Sequence, residues 1–431
     1  MFPRRLSVFI LRQTLAAYFG GLGFYMTDAL DQIFVTTKQF LVAFLAGLFP
    51  PAWQPLATLL ISAVVMVAAI IGVFATLFAI TTVLERKGLG RMQNRHGPNR
   101  VGIPFTQIRL AGFGQPAADG IKALIKEDVV PVAADKVVHF LAPVVMVVPV
   151  ILAYAVLPVG RNMVALDLDA GVLFFFAVGG AVELAVFMAG WSSRNKYALL
   201  GAMRAIAQMI SYEIPLILAA VPVIMIARSL STTGIIAAQA GQAGFLPAWF
   251  VFTPWGFAGF VLFMIAATAE SNRSPFDLPE GESELVAGYF TEYSGFKFAL
   301  FFLAEYLGLF VISGLAITLF LGGWHAPFPW LAWLPSWFWF FVKLLGLIFV
   351  FIWLRGTLPR LRLDQLMNFA WKFLLPLTLI NLLTVAVWHY LSASGWRWAV
   401  CVLMVIVPYV ALGRGLWGHR RVRKRVYRYA E

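Results

Sequence analysis

Long apolar stretches alternate with short polar or charged segments along almost the whole chain. A helix needs roughly 20 apolar residues to cross the hydrocarbon core of a bilayer. Nine such windows can be identified, at 56–84, 137–158, 171–190, 206–227, 249–269, 297–320, 337–355, 373–391 and 398–413. The pattern predicts an all-α, polytopic transmembrane helical protein with about nine spans, joined by long loops that contain amphipathic helices.

The two ends of the chain differ from this regular pattern. Residues 1–50 contain further apolar positions that predict either a tenth span or an interfacial helix, and prolines at 50, 51 and 55 separate them from the first window. We therefore predict three parts: an N-terminal extension (1–55), a membrane core with eight spans (56–391), and an extra span with a basic tail (392–431).

The positions of lysine and arginine predict how the chain is oriented. Of the 33 basic residues, 25 fall in alternate loops and in the tail, and only Arg161, Arg228 and Arg397 fall in the loops on the opposite side. Basic loops stay on the cytoplasmic side of a membrane. We expect a multi-pass protein of the bacterial inner membrane whose large loops and tail face the cytoplasm.

Composition excludes several classes of protein. With 61% hydrophobic and 12% charged residues, the chain is not a soluble domain. The net charge of +13 is not gathered on a soluble face, so we expect lipid headgroups rather than nucleic acid as the anionic partner. The single cysteine, Cys401, excludes disulfides and cysteine-ligated zinc or iron–sulfur centres within this chain alone. We predict no haem or metal.

The first segment with candidate chemistry runs from Glu85 to Pro131, where a span ends in an acid–base cluster. Turn signals follow, and residues 116–127 can form a short amphipathic helix with Asp119 on its polar side. A basic loop that only reaches into lipid headgroups would explain the cations equally well. It explains less well the acids that accompany them, which include Glu127 and Asp128.

The second segment runs from Ala269 to Phe298, and five acids fall in its loop from residue 277 onward, namely Asp277, Glu280, Glu282, Glu284 and Glu292. If residues 280–292 are helical, Glu280 and Glu284 lie one turn apart, where like charges raise at least one pKa. The alternative is a solvated acidic loop. Aromatic and aliphatic residues between the acids favour a protein-lined or membrane-facing cavity instead.

Three acids lie inside predicted spans: Glu183, Glu213 and Glu305. A carboxylate at bilayer depth is costly unless it is protonated, paired or hydrated, and such residues commonly form proton relays. Each could instead be a neutral acid hydrogen-bonded between helices. Three acids in one chain, together with Lys343 in another span, favour a hydrated polar file.

Within these segments the sequence closely resembles one membrane subunit, known by the letter H or as subunit 1, of the proton-pumping NADH:quinone oxidoreductase, respiratory complex I. The matching stretches run in the family order from about residue 56 to 391. They are ERKGLGRMQNRHGPNRVG, QPAADGIKALIKED, AGWSSRNKYALLGAMRAIAQMISYE, ESNRSPFDLPEGESELVAGYFTEYSG, FFLAEY, TLFLGGW and LPRLRLDQLMNFAWKFLLPLTL. Several are long, charged and without simple periodicity, so shared hydrophobicity does not account for them.

The resemblance implies a subunit that anchors a redox arm to the membrane and lines much of the quinone chamber at their junction. It implies quinone as the substrate, no covalently bound cofactor in this chain, and FMN and iron–sulfur clusters held by partner subunits. The implied partners are the redox-arm subunits of the quinone site, adjacent small membrane subunits, membrane lipid and quinone, with no nucleic acid.

The resemblance also implies roles for particular residues. The span-end residues Glu85, Arg86 and Lys87, the helix with Asp119, and the acidic loop from Arg273 to Glu284 would frame the quinone cavity or couple it to proton movement. Glu213 and Glu305 match family positions in the polar file that leads into the membrane. The family's third-span acid lies about one helical turn before Glu183, on roughly the same helix face.

Together these features predict a coupling mechanism. Quinone reduction beside the cytoplasmic loops would change the local charge, and the acids Asp277, Glu280, Glu282 and Glu284 would pass this change to the acids within the spans. One rival is the equivalent subunit of a membrane-bound hydrogenase or a related ferredoxin-linked enzyme. Another is a free-standing proton-coupled transporter, although the chain has no internal repeat.

Overall fold

The computed structural model describes residues 30–51, 53–102, 109, 111–243, 246–278, 287–391 and 395–418. Three of the predicted coupling acids, Glu280, Glu282 and Glu284, lie outside the described residues. So do most of the N-terminal extension and the arginine-rich end of the tail.

Helices account for most of the described chain. In chain order they are residues 30–46 (α1), Gln54–Met92 (α2), Gln115–Ile125 (α3), Lys136–Tyr154 (α4), Gly171–Gly179 (α5), Ala181–Ser192 (α6), Lys196–Ala227 (α7), Thr232–Ala238 (α8), Pro254–Glu270 (α9), Gly295–Phe320 (α10), Ser336–Thr357 (α11), Leu363–Phe369 (α12), Leu375–Tyr390 (α13) and Gly395–Gly418 (α14). Within the described ranges, eight helical segments are long and apolar enough to cross a membrane, and α9 is a shorter apolar helix. The predicted polytopic helical class is confirmed.

Short irregular elements connect or interrupt these helices. Two candidate spans are composite: α5 and α6 meet at Gly179–Gly180, and a π-helical turn, Ala370–Leu374, joins α12 to α13. The remaining elements are the 3-10 turns Phe250–Phe252, Gly288–Phe290 and Pro329–Leu331, and an antiparallel pair of two-residue strands, Gln242–Ala243 and Leu246–Pro247. If a helix begins near residue 280, it does not continue to residue 292, because residues 288–290 form a 3-10 turn.

The first span is longer than its apolar window. The α2 helix continues to Met92, so Glu85, Arg86 and Lys87 occupy consecutive helical positions and do not begin a loop. The chain folds back closely onto the last turns of α2 and leaves little room for a side chain at Gly90. A Cβ there would lie 3.1 Å from the backbone nitrogen of Gly97. Consecutive side chains on a helix point in different directions. Glu85, Arg86 and Lys87 therefore have different partners.

The α10 helix lies in the middle of the bundle. Its most apolar window is 72% buried, and α10 packs against α4, α9 and α11. Large aromatic side chains fill the surrounding core, among them Tyr212, Trp255, Phe263, Phe310 and Phe320. Burying each of them removes roughly 150–250 Å² from solvent or lipid contact. Polar residues on α10 are therefore held in a rigid, closely packed setting.

Lys343 on α11 is one of the membrane-embedded charges that predicted a polar file. Its ammonium donates to the backbone oxygens of Leu321, Gly323 and His325, at 2.7–2.8 Å, and lies 4.0 Å from the centre of the Trp249 ring. These carbonyls belong to the C-cap residue Leu321 and to the chain just beyond the end of α10. Lys343 therefore caps this helix and contacts none of the acids in the spans among the residues described.

Candidate functional site

A buried ion cluster forms where α2, α10 and α11 meet the segment after α9. Glu85 is 4% exposed and accepts from Arg273 at 3.3 Å, from the Arg355 guanidinium, and from the hydroxyl of Tyr306 at 2.7 Å. We call these four residues the Glu85 cluster. Two guanidinium groups face one carboxylate, so the cluster carries an excess positive charge.

Arg273 occupies the inner side of this cluster. Its guanidinium lies 4.1 Å from the centre of the Tyr306 ring, and the residue is 8% exposed. Burial opposes the charge of Arg273, but Tyr306 and Glu85 outweigh burial and hold the pKa of the guanidinium above its ordinary value. Arg273 also interacts electrostatically with Glu305, so it faces carboxylates on two sides.

A cleft of about 780 Å³ opens beside the Glu85 cluster, and we call it the charged cleft. Its lining includes Glu85, Tyr306 and Arg355 from the cluster, with Arg86 and Asp119 nearby. The rest is largely apolar and includes Phe78, Leu89, Phe290, Phe298 and Phe302. Ligand sites commonly combine a mostly apolar wall with a few convergent polar groups. The cleft can therefore accept an apolar molecule that carries a polar head.

The predicted amphipathic helix forms one wall of the charged cleft. It is α3, and its residue Asp119 pairs with Arg86 at 2.7 Å and accepts from Gln115 at 2.8 Å. Both charged side chains of the pair are about half exposed, at 52% and 41%. The ammonium of Lys87 donates instead to the backbone oxygen of Ala111, in the loop before α3. Arg86 thus borders the cleft, whereas Lys87 holds the loop.

Asp277 belongs to the second predicted segment and is also buried. One of its carboxylate oxygens accepts from Arg360 at 2.8 Å, and the adjoining backbone is paired by a bond from Leu361 N to Pro275 O of 3.0 Å. The segment after α11 therefore binds the segment after α9. The structure brings Asp277 to the edge of the Glu85 cluster rather than into open solvent.

The acids of the spans meet at a second cavity, of about 90 Å³, which we call the acid cavity. Glu213 on α7 and Glu305 on α10 line it, together with Glu270 at the end of α9. The charges of Glu213 and Glu183 both act on Glu270. The structure therefore brings the three sequence-predicted span acids to one region and adds a fourth.

Glu270 is a candidate that sequence reasoning missed. It ends α9 and lies one residue beyond the apolar window 249–269, at the start of the loop segment ESNRSPFD. Its position at the boundary concealed it, since it was neither inside a span nor part of the acid run from Asp277 onward. An acid at the last turn of an apolar helix is the signal that could have identified it.

A small cavity of about 10 Å³ lies between the two larger ones, and we call it the bridging cavity. It shares Arg355 with the charged cleft and shares Glu305 with the acid cavity. Arg273 and Asp277 complete its polar lining. A cavity of this size is about the smallest that can hold one water molecule. The bridging cavity thus shares lining residues with each of the two larger cavities.

Other acids of the two segments have structural partners. Asp128 pairs with Lys297 at 2.7 Å, and the carboxylate of Asp135 accepts from backbone nitrogens at the start of α4. Glu292 accepts from Asn195 at 2.7 Å. These contacts join loops to helix ends, as expected for charges that support the fold.

Tyr293 borders the charged cleft at the side away from the Glu85 cluster. Burial raises the pKa of its hydroxyl to about 12, against the opposing effect of a hydrogen bond with Ser192. Its ring stacks on that of His139, with centroids 4.0 Å apart and planes 5° from parallel. His139 is thus a packed core residue near the start of α4.

This arrangement defines a polytopic helical membrane protein in which a charged cleft and a carboxylate-lined cavity each share a lining residue with one small cavity. The family model described as NADH dehydrogenase matches residues 64–386. The chain belongs to this family.

Curated relatives agree with the family assignment over most of the chain. The H subunit of NADH-quinone oxidoreductase from Syntrophotalea carbinolica is 47% identical over 338 residues, covering 76% of this chain and 96% of the relative. The protein of the same name from Geobacillus kaustophilus is 47% identical, with 78% and 96% coverage. That from Dehalococcoides mccartyi is 50% identical, with 70% and 80% coverage.

Proposed function

We propose that this chain is the quinone-facing membrane subunit of a proton-translocating NADH:quinone oxidoreductase. In this proposal it lines the quinone chamber and couples quinone reduction to proton transfer. The observation that carries the proposal is the shared lining of the charged cleft, the bridging cavity and the acid cavity. The names of the curated relatives support the reaction class.

The charged cleft is proposed as part of the quinone chamber. A quinone combines an apolar tail with two carbonyl oxygens that accept hydrogen bonds, and phenylalanine walls beside Arg86 and Tyr306 suit both parts. Arg86, Glu85 and Asp119 would lie at the polar end, with Arg273 behind Glu85. Lys87 would act indirectly, by holding the loop that borders the cleft.

Reduction of quinone in the cleft would alter the charge next to the Glu85 cluster. Two unit charges 4 Å apart interact by about 4 kcal/mol when the effective dielectric constant is 20, a value typical of proteins. Within the cluster, Arg273 pairs with Glu85 and also interacts electrostatically with Glu305. A change in the cluster would therefore shift proton occupancy at Glu305, and then at Glu270, Glu213 and Glu183.

The remaining parts of the enzyme would lie in other chains. Electrons from NADH would arrive through FMN and iron–sulfur clusters of partner subunits that cover the charged cleft. The acids Asp277, Glu280, Glu282 and Glu284 would lie at this junction and contribute to coupling. Adjacent small membrane subunits and lipid would surround the bundle in a bacterial inner membrane, with the basic loops and tail on the cytoplasmic side.

The proton path can be tested in the assembled complex with Glu213→Gln and Glu305→Gln. We expect both variants to lower proton translocation per NADH oxidised, while electron transfer from NADH to an artificial acceptor at the redox arm stays normal. Asp169→Asn is a matched control because Asp169 is an exposed acid outside the spans. Normal translocation in both glutamate variants would contradict the proposed path.

The quinone chamber can be tested separately with a photoreactive quinone analogue. Labelling of the segment 85–127, suppressed by excess quinone, is the expected result because this segment supplies one wall of the charged cleft. Labelling confined to the membrane surface of α14, with none in 85–127, would exclude the cleft as the binding site.

A further inference from the structure

The segment that carries Glu270, Arg273 and Asp277 reverses direction within a few residues. At the end of α9, Asn272 adopts a left-handed conformation with a φ of +49°, and Arg273 N bonds to Thr268 O at 3.2 Å. Asparagine tolerates this conformation better than most residues. The reversal takes three ionisable residues of one short segment to different surroundings: the acid cavity, the Glu85 cluster and Arg360.

A fully buried glutamine on α7 lies inside this reversal. The amide nitrogen of Gln208 donates to Ala269 O at 2.8 Å and to Phe276 O at 2.6 Å, with Asn272 Oδ1 also within 3.2 Å. Ala269 O belongs to the last turn of α9 and also accepts from Asn272 N at 3.2 Å, so Gln208 is an additional donor to it. One side chain therefore joins both ends of the segment 269–276 to a single point on α7.

Gln208 is close to residues of α7 that line the acid cavity. Glu213 lies five residues beyond Gln208 on the same helix, and Met209 next to Gln208 also lines that cavity. The segment held by Gln208 presents Glu270 to the same cavity and Arg273 to the Glu85 cluster. The spacing between the cluster and the acids thus depends on how this segment is attached to α7.

We propose that Gln208 is a positioning residue for coupling: by fixing both ends of the segment 269–276 to α7, it holds Arg273 between Glu85 and the acid cavity. The inference rests on the proposed function, because it assigns the geometry that the proton path requires. Gln208 lines none of the three cavities, so its effect is on placement and not on contact with quinone.

Replacing the amide would release this attachment. In Gln208→Met the side chain keeps its length but has no N–H donor, and the buried carbonyls of Ala269 and Phe276 lose its hydrogen bonds. In Gln208→Asn the amide remains but is one methylene shorter, so it cannot reach both oxygens. Both changes allow the segment to move relative to α7 without replacing any side chain that lines a cavity.

The chain contains a matched control at the opposite end of the bundle. Gln239 is also fully buried, and its amide nitrogen donates to Thr318 O at 2.9 Å and Leu319 O at 3.2 Å. Gln239→Met therefore removes the same kind of carbonyl-capping contact, at the far end of α10 from the Glu85 cluster, and also the bond that Gly322 N donates to Gln239 Oε1 at 3.0 Å. A general loss of stability would affect both glutamines alike, whereas loss of positioning would affect Gln208 alone.

The experiment measures assembled complex in membranes, quinone reductase turnover per complex, the KM for a short-chain quinone, and protons translocated per NADH. For Gln208→Met and Gln208→Asn we expect turnover to fall by at least about fivefold, with fewer protons translocated per NADH and an unchanged quinone KM. For Gln239→Met we expect less assembled complex, with normal turnover and translocation in the complex that forms.

Two results would overturn the inference. In the first, the Gln208 variants lose only assembled complex, as Gln239→Met does. In the second, neither Gln208 variant assembles while Gln239→Met does, which would make Gln208 a folding residue. Glu305→Gln, measured in parallel, separates this test from the proposed function. Normal translocation in Glu305→Gln counts against the proton path itself, whereas impaired translocation there with normal Gln208 variants counts only against the positioning role.

Discussion

The hydroxyl of Tyr306 donates a 2.7 Å hydrogen bond to Oε2 of Glu85, whereas its neighbour Glu305 lines the acid cavity. Adjacent helical positions point about 100° apart. Two consecutive residues of α10 therefore belong to two different electrostatic environments, and the width of one helix separates the charged cleft from the acids within the membrane.

Tyr306→Phe tests the hydrogen bond to Glu85 while retaining the ring that contacts Arg273. A hydrogen bond to a charged group contributes about 1.5–3 kcal/mol, so we expect lower thermal stability and lower quinone reductase turnover. Tyr154→Phe is the control, because Tyr154 is also buried but donates to the backbone oxygen of Leu307. It should lower stability alone. Equal turnover in the two variants would show that the Glu85 contact has no part in the reaction.

The charge balance of the Glu85 cluster gives a second prediction. Glu85→Gln removes the carboxylate that pairs with both Arg273 and Arg355. Breaking a buried ion pair in this way costs about 3–5 kcal/mol, so we expect little assembled complex. In the double variant Glu85→Gln/Arg355→Gln one uncompensated charge is gone, and the amount of assembled complex on native gels should partly recover. No recovery would argue against charge imbalance as the cause.

The Arg86–Asp119 pair should affect substrate binding more than stability. Both side chains are about half exposed, and exposed ion pairs contribute at most about 1 kcal/mol. Arg86→Gln and Asp119→Asn should therefore leave assembly intact and raise the KM for a short-chain quinone. The pair Lys297–Asp128 is a control, since neither residue lines the charged cleft. A similar change in KM from Asp128→Asn would contradict a local effect.

The loop before α3 depends on one glycine. Gly112 has a φ of +86°, and a Cβ placed there would lie 1.8 Å from the backbone oxygen of Pro98. Gly112→Ala should displace this loop and, with it, the wall of the charged cleft that carries Asp119. Gly72→Ala is the control because a Cβ at Gly72 meets open space. We expect reduced quinone reductase activity only for Gly112→Ala, and normal activity in that variant would show that the loop tolerates the displacement.

Lys343 provides a negative test of the proton path, since its replacement is expected to leave proton translocation unchanged. Its three bonds to backbone carbonyls indicate a capping role, so Lys343→Met should lower the thermal stability of the complex. Protons translocated per NADH should stay normal, in contrast to Glu305→Gln. A reduced proton ratio in Lys343→Met, without loss of stability, would return this lysine to the proton path.

The sequence predicts the spans well because bilayer thickness sets the length of an apolar helix. Each of the nine windows corresponds to helix in the structure, although one window is divided between α5 and α6, α9 is shorter than the eight candidate spans, and α2 extends past its window. The predicted α3 is also confirmed, because its polar side follows helical periodicity over eleven residues. These features are local in sequence, so a local pattern is enough to identify them.

The partners within the site could not be predicted in the same way. Arg273 and Arg355 are 188 and 270 residues from Glu85, and nothing in the local pattern pairs them. The sequence also grouped Lys343 with the span acids, because depth in a membrane can be read from a window but lateral position cannot. The role of each candidate residue in quinone binding or proton transfer stays a prediction.

The π-helical turn at Ala370–Leu374 has a consequence for how α12 and α13 can be aligned. A π turn holds one more residue than an α turn, so it rotates the helix before it by about 100° relative to the helix after it. On one side of the turn Leu366 O accepts from Tyr212, and on the other Asn381 packs beside Gly259. Deleting one residue there would bring a different face of α12 toward α7. The wide turn thus sets the angular phase between the two halves of a single span.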